Sequence, residues 1–153
     1  TPTLLVSKNS QVVSDPVNVT NPKAIPDSVT EYTLSVTNSG FGYADNNTIV
    51  ISDPIPAATT MYLGSPANPA QFTDGITSSG LSYTFTSLGS TTDDIDFSND
   101  GGSSFITPSI DGSGFDATVP PINFIRITPK GEFRGCDGTN DPGFSIKWRV
   151  KVT

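Results

Sequence analysis

The last ten residues alternate without a break. In Phe144-Ser145-Ile146-Lys147-Trp148-Arg149-Val150-Lys151-Val152-Thr153, the even positions are apolar and the odd ones polar or cationic. Five apolar residues at period two give a long strand with one face in a core and the other in solvent. A helix would scatter the same residues around its axis. Val29 to Thr37 repeats the pattern: Tyr32, Leu34 and Val36 point one way, and Glu31, Thr33, Ser35 and Thr37 the other. Shorter strands are predicted at Leu4-Leu5-Val6, Ile49-Val50-Ile51, Thr60 to Gly64 and Phe124 to Thr128. Leu81, Tyr83 and Phe85, alternating with Ser82, Thr84 and Thr86, make another.

Composition agrees with strands. Ser, Thr, Gly and Pro fill 66 of 153 positions, against seven Ala and two Glu, which disfavours helices. Four Asp-Gly pairs, Asp74-Gly75, Asp100-Gly101, Asp111-Gly112 and Asp137-Gly138, are expected to supply the positive φ of tight turns. Seven strands with such punctuation predict an all-β, antiparallel sandwich in one domain, residues 1–153. Its surplus length falls in long loops, Ser14 to Ser28 with three prolines and Asp93 to Pro121.

The same inventory excludes much chemistry. With no His, the chain has no Ser-His-Asp triad and none of the usual zinc or haem ligation. No nucleophile stands beside an activating base, and no two carboxylates are marked as a glycosidase pair, so no enzyme is expected. A net charge of −7 disfavours nucleic acid. Apolar runs are too short for a membrane span. The start Thr1-Pro2-Thr3 is what signal-peptide removal would leave, and an excised domain would look the same; low charge with many Thr and Ser fits a secreted or cell-surface protein.

Three stretches carry a family pattern: Leu4-Leu5-Val6-Ser7-Lys8, Tyr32 to Gly40 with its Tyr-Thr-x-x-Val-x-Asn-x-Gly form, and Ile49-Val50-Ile51-Ser52-Asp53-Pro54-Ile55-Pro56. In order and spacing, residues 3 to about 65 resemble the conserved-repeat domain of prokaryotic surface proteins, known as domain of unknown function eleven. The resemblance implies an immunoglobulin-like β-sandwich and an extracellular structural or adhesive role. It implies no active site.

Several residues are candidate sites. Asp94, Asp96, Ser98 and Asp100 alternate, and on an extended segment they could face one hard cation such as calcium; the alternative is a solvated acidic turn. No other cofactor is expected. Phe41 and Tyr43, in the turn Gly40-Phe41-Gly42-Tyr43, are candidates for contact with a glycan or another surface protein, or else cap the sandwich end. Lys8 lies in the first strand, where an internal isopeptide assisted by Glu31 would begin, but the last strand offers no Asn or Asp. Cys136 is either inert or an intermolecular anchor.

Charge and edges point to copies of the chain itself as partners. Residues 1–120 carry −10 and residues 121–153 carry +3. Lys147, Arg149 and Lys151 share one strand face, available to acidic strands of the same domain or to a neighbouring copy. Leu4, Leu5 and Val6 lie on a terminal strand followed by a long proline-rich connection. Such a strand, residues 1 to about 13, can be exchanged with a neighbour, and a non-closing contact of this kind builds a filament.

Overall fold

The computed structural model describes all residues, 1–153, and contains no helix. Eight strands run in chain order: β1 (Leu4–Ser14), β2 (Val29–Asn38), β3 (Ile51–Pro54), β4 (Thr59–Met61), β5 (Gln71–Asp74), β6 (Ile95–Ser98), β7 (Phe124–Ile127) and β8 (Gly143–Val152). One sheet has the order β1-β2-β8-β4, with β5 also on β8; the other is β3-β7-β6. Every ladder is antiparallel. The fold is all-β and β-sandwich-like.

The alternating strands sit as their period requires. In β8, Phe144, Ile146, Trp148 and Val150 are buried, and Tyr32, Leu34 and Val36 of β2 stand opposite Trp148, Ile146 and Phe144. From the second sheet come Ile51, Ile95, Phe97, Ile125 and Ile127, all in the same core of 20 buried side chains. Trp148 lies in this core, stacked on Tyr32 with ring centroids 6.0 Å apart. No helix is long and apolar enough to cross a membrane.

Five expectations are corrected. The first strand runs on to Ser14, because pairing with β2 carries the polar residues Lys8, Asn9 and Ser10 in register. Ile49-Val50-Ile51 becomes Ile51–Pro54, at a sheet edge where Pro54 costs no ladder bond. The segment around Leu81, Tyr83 and Phe85 has the expected alternation of burial but forms no strand. Carboxylates serve its backbone instead: Thr84 N–H donates to Asp94 and Thr86 N–H to Asp93. The expected loop from Asp93 to Pro121 contains β6. Of the Asp-Gly pairs, only Gly101 and Gly138 have positive φ, at 73° and 97°. Gly75 instead extends the β5–β8 ladder, its N–H donating to Gly143 at 2.8 Å.

Candidate functional site

Strand β1 is the outermost strand of the larger sheet and pairs only with β2. Ser39 N–H donates to Thr3 C=O at 2.9 Å, so the bonded positions on the β2 side are odd-numbered in β1. Alternation then turns the peptide groups of Leu4, Val6, Lys8, Ser10 and Val12 to the open edge. Leu4, Leu5 and Val6 are 42%, 56% and 63% exposed. This is a long open edge with an apolar start, the kind that templates pairing with another chain.

Both ends of β1 are tied down. At its start, the buried Asn38 side chain accepts the N–H groups of Thr3 and Gly40 and donates to the carbonyls of Gly42 and Arg134. A Cβ on Gly40 or Gly42 would stand 2.5 Å from backbone atoms of Thr1, so glycine is what lets the N-terminus lie on this turn. Asn38 reads in the sequence as a strand terminator; its role in holding Thr3 depends on a contact 35 residues away. At its far end, β1 leads into the connection from residue 15 to 28, where Asp15 accepts the N–H groups of Val17, Asn18 and Lys23.

Midway, Lys8 reaches across to the second sheet. Its Nζ lies 2.6 Å from Asp53 Oδ2 in β3, 4.7 Å from the Tyr32 ring centre and 5.3 Å from that of Trp148. Glu31 cannot assist Lys8 in amide formation. Register puts Lys8 on the face of Leu34 and Glu31 on the opposite face. Glu31 instead holds Arg149 at 2.9 Å and Lys147 at 3.5 Å. Burial would raise its pKa, but the hydrogen bond and charge of Arg149, and then Lys147, bring it below the ordinary glutamate value. Lys151 stands apart, with Nζ 4.3 Å from the Phe115 ring centre. The cationic face of β8 is thus partly neutralised inside the chain.

The acidic series is spread over separate partners. Asp94 is buried, with Lys130 at 3.5 Å; Asp96 pairs with Arg126 at 2.8 Å. Ser98 donates to Asp100, which also accepts the hydroxyl and N–H of Ser104. No group of three or more acidic, Cys or His side chains converges here or elsewhere. Phe41 and Tyr43 are exposed, at 75% and 56%, beside the N-terminus. Cys136 is half-buried in its turn, and the neighbouring Asp141 carboxylate raises the thiol pKa, against the reactive anchor.

Comparison of the chain with protein-family models, with curated proteins and with solved structures gave no match.

Proposed function

We propose that the chain is an extracellular structural protein, a self-associating subunit of a cell-surface filament or sheath, assembled through pairing of the strand in residues 1–13 with a neighbouring copy. The observation that carries this reading is the open edge of β1. It presents five outward-facing residues and three exposed apolar side chains that gain burial only against another chain. Two facing antiparallel sheets support the sandwich part of this reading, and the immunoglobulin-like fold and surface location are what the expected resemblance of residues 3 to about 65 would imply.

Electron microscopy and size exclusion of the full chain test the reading. Concentration-dependent polymers are expected, and Leu5→Lys with Val6→Lys should abolish them while leaving the circular dichroism unchanged. A chain that stays monomeric at every concentration rejects the proposal.

A second reading is a glycan- or calcium-binding adhesive module. The exposure of Phe41 and Tyr43 favours its glycan form, since exposed rings can stack on a sugar. Binding on a glycan array that is lost in Phe41→Ala with Tyr43→Ala is the corresponding test.

A further inference from the structure

We propose that the acceptor for β1 is the open edge of β5 on the next copy, at the opposite side of the same sheet. This rests on the self-association reading and names where the strand goes: β1 stays on its own β2 and is shared with the neighbour.

The far side of the sheet has two short strands on β8, and they differ. The outer edge of β4 is covered, with Asp116 N–H donating to Met61 C=O at 2.9 Å. Strand β5 pairs only with β8. Gly75 bonds opposite Gly143, and the register runs on through Thr73↔Ser145 and Gln71↔Lys147, so these are the bonded positions. The peptide groups of Phe72 and Asp74 therefore face outward. They border a groove of about 730 Å³ lined by Pro66, Ala67, Phe72, Thr73, Tyr83 and Phe85. Phe72 and Tyr83 stack at 6.1 Å. Outward peptide groups beside apolar walls are what an added strand needs: the backbone supplies hydrogen bonds and the walls take alternate side chains.

Strand direction, face and bonding parity all fit a second copy as the occupant. Since β1-β2, β2-β8 and β8-β5 are all antiparallel, β1 and β8 run one way and β2 and β5 the other. A copy shifted along the sheet without rotation brings β1 antiparallel to β5. It also keeps the faces matched. Leu4, Val6 and Lys8 share the face of Leu34, and Phe72, opposite Ile146, shares it too. Val6 then pairs with Phe72 and Leu4 with Asp74, using the even-numbered peptide groups that both edges leave free. Leu4 and Val6 fall on the aromatic side, and Leu5 comes opposite Thr73 on the outer face. The contact is heterologous and does not close, so it propagates.

The firm attachment of β1 at Asn38 and Asp53 favours sharing over exchange, because sharing breaks neither tie. The inward-facing charge that would discourage edge pairing, Lys8, is already neutralised by Asp53.

The test is cross-linking in the full chain with Cys136→Ser, Leu5→Cys and Thr73→Cys, treated with a short bis-maleimide. A ladder of dimers, trimers and higher species is expected in the double-cysteine variant, with neither single-cysteine variant giving more than background. Dimers from Leu5→Cys alone would mean that two β1 edges pair with each other, which overturns the acceptor. Filaments seen by microscopy with no ladder overturn the acceptor and leave self-association standing. A strictly monomeric chain by size exclusion overturns both.

Discussion

Lys8 Nζ stands 2.6 Å from Asp53 Oδ2, joining the edge strand of one sheet to the edge strand of the other. The two residues are 45 positions apart. The carboxylate is largely buried and the ammonium half-buried, with Tyr32 and Trp148 beneath it. Removing the cation leaves a shielded carboxylate without its counter-charge. Lys8→Met should therefore cost about 1–2 kcal/mol, below the loss for a fully buried pair because the site still meets water. Urea unfolding measures it. Amide exchange should accelerate in β1 before β2 or β8. Asp53→Leu in the same chain should recover part of the loss.

The core makes a larger demand. Ile125 and Ile146 are fully buried, one in the middle strand of each sheet. Either one changed to Ala removes methyl groups that the facing sheet cannot replace, and should cost about 2–5 kcal/mol by thermal or urea unfolding. Ile76, fully exposed, is the control. Ile76→Ala should change stability by less than about 0.5 kcal/mol.

What was readable in the sequence follows from how one-sided each strand is. Strands β2 and β8 have one face in the core and one in water, so period two is written over ten residues in each. Strand β5 carries a single apolar residue, Phe72, and four residues give a period little room to show. In β6 the one charged residue is Asp96, which pairs with Arg126, and a charge in a short stretch that runs into Asp-Gly reads as a turn. The alternation from Leu81 to Phe85 reports burial correctly, but whether N–H groups find a strand or a carboxylate is decided by residues further along the chain. The open edge of β1 was foreseeable as a terminal strand. Its acceptor was not, since β5 was unseen and the parity of its peptide groups is a property of the assembled ladder.

Acid should destabilise the fold in a defined window. The Ser104 hydroxyl and backbone N–H, with the Ser98 hydroxyl, hold the Asp100 carboxyl down at about 2. Asp111 and Asp137 are lowered as well, chiefly by the backbone N–H groups of Phe115 and Asn140. Each folded value lies below the unfolded aspartate value of about 4. Their stabilisation is thus present above about pH 4 and is lost as pH falls towards 2. Thermal melting should show a plateau near neutrality and a falling Tm in that range, with a shallower fall in Asp100→Asn.

Cys136 should react slowly. The neighbouring Asp141 carboxylate raises the thiol pKa above the ordinary value, so a smaller share is thiolate at any pH near 8. Alkylation by iodoacetamide should be slower than for a free cysteine. Asp141→Asn removes the charge and should speed it several-fold, with the pH–rate curve moving to lower pH. An unchanged rate would mean that access, and not ionisation, limits the thiol.

Glu31 governs the cationic face. It lies between Lys147 and Arg149 on the outer side of the sheet, with Lys151 further along β8. Glu31→Gln takes away the shared anion and leaves two cations at alternate positions of one strand. Both cations are near half-exposed, so the loss should be about 1 kcal/mol or less at low salt. The greater effect concerns charge pattern. With Glu31 in place one anion is shared by two cations, and exposed pairs of this kind weaken as salt shortens the screening length to about 3 Å at 1 M. The stability difference between Glu31→Gln and the parent should therefore shrink in 1 M sodium chloride. Assembly gives the sharper comparison. If β1 and β5 make the subunit contact through their backbone edges, Glu31→Gln leaves the cross-linked ladder intact. If the outer face of β8 makes it, the added positive charge changes polymer yield in a salt-dependent way, and the edge contact is not the one that builds the filament.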